Sequence, residues 1–256
     1  MSRISALFVS KPEPILNVYC TAGFPKRDDT LSVMEALQTS GADLIELGMP
    51  YSDPLADGPV IQASSMVALQ HGMTIPLLFS QIGNMRKTIT VPVILMGYMN
   101  PVLQYGFEKF CADAAAAGVD GLILPDLPVV EFETEYGAII KKYGLDFIFL
   151  VTPETSPERI QKLDSLSSGF LYAVSSSSTT GSDRSNTGMP AYLQQLQQLK
   201  LKNPVLVGFG IKDKASFEAA SQFTRGAIIG SAYIKALQEN PDVKNTTKTF
   251  LAGIKG

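Results

Sequence analysis

The sequence is poor in the residues from which metal centres and disulfide frameworks are built. It has one histidine, His71, and two cysteines, Cys20 and Cys111, far apart in the chain. One imidazole and two separated thiols cannot assemble a zinc-type site, so no metal is expected. Two isolated cysteines do not read as a disulfide framework either, and are expected to be reduced, partly buried thiols of a cytoplasmic protein. His71 precedes Gly72 at an expected helix end, where a cationic ring suits the macrodipole, and it is assigned no chemistry. Charge is also sparse. Charged residues make up 18% and the formal net charge is −3, which gives no support for the clustered basic footprint of a nucleic-acid binder. No apolar run reaches the length of a membrane span, and the opening M-S-R-I-S-A-L-F lacks the apolar stretch of a signal peptide.

What the chain does have is alternation. Hydrophobic residues are 45% of 256, enough for a sizeable core. Short apolar runs suit strands at 15–20, 44–47, 91–96, 121–124, 147–151, 170–174, 205–207 and 227–229. Helix-spaced patterns fall at 5–11, 28–40, 59–70, 75–87, 107–117, from about 128 to 142, from 157, and at 215–222, 232–238 and 243–254. Strands alternating with helices imply a parallel sheet with crossover helices. S-G-A-D-L-I-E-L at Ser40 and A-G-V-D-G-L-I-L at Ala117 repeat one joint, a helix stop, an Asp and an apolar strand; F-T-R-G-A-I-I-G at Phe223 is a looser copy. Divided among eight units, 256 residues leave 32 for each, the size of a closed (β/α)8 barrel. An open doubly wound sheet is the alternative architecture, but no G-x-G-x-x-G opens a helix here. The expected fold is α/β, a single TIM-barrel domain over 1–256 with extra short helices.

In such a barrel, chemistry gathers at the C-terminal ends of the strands. The stretch from Asp43 to Gln62, D-L-I-E-L-G-M-P-Y-S-D-P-L-A-D-G-P-V-I-Q, is the most informative there. Glu46 is the one charge inside an apolar strand, and a carboxylate so placed is costly unless paired or protonated. Asp57 follows at the far end of the loop. Two carboxyl groups in such different settings suit acid/base work. The structural alternative makes Glu46 a partner of a backbone group or a basic side chain, and Asp57 the N-cap of a helix opening near Pro59. The other strand ends offer Tyr19, Met96, Tyr98, Asn100, Asp126 and Tyr172. Gly208-Phe209-Gly210 and Gly230-Ser231 close the last two strands; glycine lets backbone amides approach an anion, and a helix starting near Gly230 would aim its N–H groups at one. The polar loop S-S-S-S-T-T-G-S-D-R-S-N-T-G, residues 175–188, is read as a lid over substrate, with Thr180 and Gly181 as further phosphate donors on closing.

These motifs, together with Y-C-T-A-G-F-P, M-G-Y-M-N-P, P-D-L-P, G-F-G-I and G-S-A in the same order from about Ser5 to Lys235, resemble the alpha-chain family of tryptophan synthase. The resemblance implies a (β/α)8 barrel that cleaves indole-3-glycerol phosphate by a retro-aldol reaction to indole and glyceraldehyde 3-phosphate. It implies Glu46 as general acid/base and Asp57 as the second catalytic carboxylate. Tyr19, Met96, Tyr98 and Tyr172 then line an indole pocket, and Gly181, Gly210, Gly230 and Ser231 bind phosphate. It further implies no cofactor in this chain, a beta chain carrying pyridoxal phosphate as partner in an α2β2 complex, indole passed to it through a tunnel, and loops with Asp53, Pro54, Asn100 and Pro128 at that interface. One departure stands out: the lid begins S-S-S-S-T-T-G where many members carry S-R-x-G-V-T-G, so Ser176 replaces an arginine, and Ser178 and Thr179 a glycine and a valine, with Arg184 following. Two other readings remain: a barrel kept mainly as an allosteric binding subunit, and another phosphate-binding barrel enzyme such as a sugar-phosphate isomerase or epimerase.

Overall fold

A computed structural model describes residues 1–174, 189–208 and 210–256. Nine parallel strand segments form one sheet: β1 (Ile15–Thr21), β2 (Leu44–Gly48), β3 (Val93–Met96), β4 (Gly121–Ile123), β5 (Asp146–Phe147), β6 (Leu150–Val151), β7 (Leu171–Val174), β8 (Val205–Gly208) and β9 (Gly226–Ile229). Their order is β5-β4-β3-β2-β1-β9-β8-β7-β6. The two ends of that order are separated in sequence by Ile148 and Phe149 alone. Ile148 N donates to Leu122 O (3.0 Å) on one side, and Tyr172 N donates to Phe149 O (3.0 Å) on the other. The expected fifth strand is thus interrupted: its first half pairs with β4, its second with β7. That switch of partner closes the sheet into a TIM barrel and leaves no free edge.

Buried parallel strands must be apolar on both faces. All residues of β1, β2, β3, β7 and β9 are buried. The repeated Asp of the helix-strand joint has a structural use. Asp43 Oδ2 accepts from Leu16 N (2.9 Å) and Asp120 Oδ2 from Val93 N (2.8 Å), so each carboxylate ties the base of the neighbouring strand. Lys11 pairs with Asp43, and Arg3 and Arg86 with Asp120. The first helix, Arg3–Ser10, is capped by Ser2 and buries Ile4 completely. Ile4 lies against Gly121 and Gly169, where a side chain on either glycine would crowd it.

Several elements depart from the sequence expectation. The stretch 75–87 divides into Ile75–Ile82 and a 3-10 turn, Met85–Lys87. The run expected to about 142 divides into Val129–Glu131, a π turn Phe132–Tyr136, and Gly137–Lys142. Two helices were not expected. Met99–Tyr105 follows β3 directly, its first backbone N–H taken by both oxygens of Asp126 (3.0 Å each), a cap supplied from another loop. Met189–Gln198 buries Tyr192, Leu193 and Leu196, a helical spacing that its glutamines obscure.

The seam between β9 and β1 has no room. Gly226 has φ +142, and a Cβ there would sit 2.0 Å from Ile15 O. Gly226→Ala should destabilise the chain by more than about 3 kcal/mol, read as a fall in denaturant midpoint; a change within 0.5 kcal/mol would mean that the seam yields.

Candidate active site

Alternation along the parallel strands sends Asn17 and Tyr19 of β1 to the same face as Glu46 of β2, with Tyr19 and Glu46 in register. The Tyr19 ring lies across Gly48, where a Cβ would fall 2.0 Å from its hydroxyl. The Tyr172 ring lies across Gly208 in the same way, at 2.3 Å. Side-chain-free strand ends therefore let two large rings lie flat and leave a hollow above them. The hollow is a cavity of about 330 Å³, whose walls include Tyr19, Glu46, Asp57, Met96, Tyr172, Gly210, Gly230 and Ser231. Eight residues expected from the sequence at a common site are thus brought together.

Glu46 is 1% exposed, and its described partner is neither backbone nor cation but Asn17, whose Nδ2 donates to Oε2 (3.0 Å). Burial raises the carboxyl from its ordinary 4.5 to about 8; the Asn17 bond opposes this and the neighbouring Asp57 charge adds to it. Asp57 is not a helix cap. The helix Pro59–Gln70 is capped by Gly58 without a side-chain bond. Asp57 is held by the Tyr98 hydroxyl, and burial lifts it from 3.8 to about 6 against that bond. Tyr98 also accepts from Ala56 N (3.1 Å), so it stands behind Asp57 and fixes the loop rather than walling the cavity. Near neutral pH one carboxyl is then mainly an acid and its neighbour mainly an anion, the separation of roles that proton transfer needs.

The opposite end has another chemistry. Gly210 has φ +77, with open space where a Cβ would point. Gly230 caps the helix Ser231–Glu239 without a side-chain bond, leaving its first amides free of that competitor. Lys212 and Lys235 line the same end, and among the described residues neither forms an ion pair. Amides, a hydroxyl and two ammonium groups can hold a phosphate. Sequence reasoning missed the lysines, although Lys235 falls one helical turn after Ser231. It also missed Asn17, whose signal was a lone amide in the strand I-L-N-V-Y-C.

Met96 and Tyr172 are shared with a second cavity of about 540 Å³ that runs under the loops after β4 and β6. Thr180 and Gly181 lie outside the described residues, as does the rest of the expected lid. On the rim, Asp53, Asn100 and Pro128 are exposed. Pro54 is a correction to the expected surface: it is buried under the loop, while its neighbour Leu55 is 91% exposed. His71 caps the C-terminus of Pro59–Gln70, remote from the cavity. Cys20 and Cys111 are free and buried. Among the described residues no cluster of His, Cys, Asp and Glu could hold a metal, and no helix is long and apolar enough to cross a membrane.

Known proteins resemble this chain over nearly its whole length. The family described as "Tryptophan synthase alpha chain" matches residues 7–253. The tryptophan synthase alpha chain of Flavobacterium johnsoniae is 51% identical over 242 residues, covering 94% of this chain and 95% of that one. That of Parabacteroides distasonis is 47% identical over the full length of both. Among solved structures, the alpha chain from Legionella pneumophila superposes with a TM-score of 0.90 at 36% identity, covering 100% of this chain and 96% of that one. A chain of tryptophan synthase from M. tuberculosis in its aminoacrylate-bound form gives 0.86 at 34%, covering 99% and 100%.

Burial of a group that prefers to stay protonated carries a sign. Glu46 has its folded-state value raised from 4.5 to about 8, so the fold binds its proton more tightly than the unfolded chain does. Stability from that proton is full below about pH 4.5 and is lost as pH rises to about 8. Glu46→Gln should therefore match the parent at pH 4 and exceed it by roughly 3–5 kcal/mol at pH 9. Denaturant melts at the two pH values check this; an equal difference at both would contradict it.

Proposed function

The chain belongs to the tryptophan synthase alpha chain family, and we propose that Glu46 and Asp57 are the carboxyl pair with which it performs that family's reaction. The reaction is cleavage of indole-3-glycerol phosphate to indole and glyceraldehyde 3-phosphate, a lyase step of tryptophan biosynthesis. The observation that carries the assignment of roles is the cavity itself: two carboxyl groups of different proton affinity share it with glycine backbone, a serine and two lysines, groups suited to an anion. The substrate has matching ends, a flat heterocycle and a phosphate.

The steps follow from charge. Glu46, as the acid, gives its proton to indole C3, and positive charge develops on the ring at N1. Asp57, as the anion, accepts a hydrogen bond from N1–H and stabilises that charge. Glu46, now a carboxylate, takes the proton of the hydroxyl on the adjacent carbon. The bond from that carbon to C3 breaks. Its electron pair restores the neutral indole, and the hydroxyl oxygen becomes the aldehyde carbonyl. One proton has gone to C3 and one has returned to Glu46, so the enzyme ends as it began. Tyr19, Met96 and Tyr172 wall the ring, while Gly210, Gly230, Ser231 and the two lysines hold the phosphate.

The partner we assign is a beta chain carrying pyridoxal phosphate, in an α2β2 assembly that receives the indole, and the setting we assign is the cytoplasm. The support for the partner is family membership, together with exposed Leu55, Leu103 and Val130 on the segments that follow β2, β3 and β4. These lie at the mouth where Asp53, Asn100 and Pro128 are also exposed. We take 1–256 as one domain, because the sheet is continuous.

Indole release should follow a bell-shaped pH profile, rising through about 6 as Asp57 ionises and falling through about 8 as Glu46 does. Glu46→Gln should lower turnover by about a thousandfold or more, and Asp57→Asn by about a hundredfold, while thermal melts with inorganic phosphate still show stabilisation. Full turnover in Glu46→Gln would end this assignment. Lys235→Ala should raise KM several-fold with kcat nearly unchanged; an unaltered KM would remove the lysine from the phosphate site.

A further inference from the structure

Asn17 is out of place by every structural measure. It is fully buried inside β1, among Ile15, Leu16 and Val18. Asparagine is a poor strand former, and a leucine or valine would pack there without any polar demand. Its Oδ1 finds no hydrogen-bond partner among the described residues, and a buried acceptor left unpaired is destabilising. Its Nδ2 makes one described contact, to Glu46 Oε2 at 3.0 Å. So the fold gains nothing visible from this side chain, and its amide is spent on a single carboxyl oxygen.

The register explains how it reaches. Asn17 pairs with Leu44 and Tyr19 with Glu46, so Asn17 sits one inward layer below Glu46 and meets it on the diagonal. It thereby engages Oε2 of a carboxyl that lines the cavity. The other oxygen, Oε1, makes no described hydrogen bond and is left available for proton transfer. We propose that Asn17 is a positioning residue for the acid/base step: it decides which oxygen of Glu46 carries the transferable proton, and it holds the carboxylate that exists between the two proton transfers.

The inference rests on the role given to Glu46 above. An N–H donor on Oε2 suits the acid with its proton on Oε1, and suits the carboxylate better still, because a hydrogen bond to an ion is the stronger one. Loss of the amide therefore disfavours the charged form. The titratable groups facing Glu46 from other quarters are Tyr19 and Cys20 on its β1 side, Asp57 in the loop beyond β2 and Tyr172 of β7, with Lys212 and Lys235 across the cavity. None of these is a described hydrogen-bond donor to Glu46, so none replaces Asn17 when it is removed.

The test is Asn17→Leu, with Asn17→Val as a second variant should leucine overfill the site, each assayed for indole release across pH. The expected result is kcat lower by about tenfold, KM within twofold, and the alkaline limb moved up by about one pH unit. A residue serving only the fold would change the melting temperature and leave that limb in place. An unmoved limb in a folded variant overturns the proposal. If neither variant folds, the infrared carbonyl band of the Glu46 acid in the parent protein, identified by its loss in Glu46→Gln, decides instead: a band at the frequency of a free acid overturns the proposal, and a lowered one supports it. Failure here is separable from failure of the catalytic assignment. An inert Glu46→Gln beside an unshifted Asn17→Leu removes Asn17 alone, whereas an active Glu46→Gln removes both.

Discussion

A carboxyl group inside a closed parallel barrel, with an amide as its hydrogen-bond partner, sets the terms for everything around it. Isolated ionisation in such a place is too costly to persist, so Glu46 keeps its proton into the neutral range. A group that is an acid at neutral pH, yet close enough to water's range to give that proton up, is what a reaction beginning with protonation of carbon requires. The same burial that makes Glu46 useful makes it a burden on the fold. Around it the sheet closes through the interrupted fifth strand, whose halves pair with β4 and β7.

Space for the substrate comes from absences rather than additions. Gly48 and Gly208 have no side chains, so Tyr19 and Tyr172 can lie across strand ends that would otherwise be filled. TIM-barrel interiors are packed cores, not pores; here two tyrosines lying diagonally across glycines of the neighbouring strands open the upper layer, while Leu44, Ile94 and Leu206 remain buried. Tyr98 extends this economy outward. Its one hydroxyl holds both the Asp57 carboxylate and the Ala56 amide, so the position of the second carboxyl of the cavity depends on a ring from the adjacent strand end.

The anion end is built on different physics. Gly210 and Gly230 offer main-chain amides at fixed positions, which define geometry, while Lys212 and Lys235 offer charge on long flexible stems. Under the proposed assignment, a phosphate gripped this way anchors the far end of the substrate and leaves the ring to be placed by Tyr19, Met96 and Tyr172. Division of labour between anchoring and chemistry lets remote binding energy orient the reacting carbon.

Much of this was legible in the chain itself. Alternating apolar runs and helical patterns specified a parallel barrel, because strand and helix periods differ and each joint repeats the same stop, Asp and strand. Glu46 declared itself as a lone charge in an apolar strand, and the glycine-rich ends declared themselves as breaks at the last two strands, since both are local violations of an otherwise regular pattern. What the tertiary structure alone decided was pairing across the barrel. Asn17 meets Glu46 from another strand, Asp126 caps a helix it is not part of, Asp57 answers to Tyr98 instead of its own helix, and Pro54 turns inward while Leu55 turns out. Those relations depend on register and closure, distances set by strands far apart in the chain, and no pattern of neighbours along one strand encodes them.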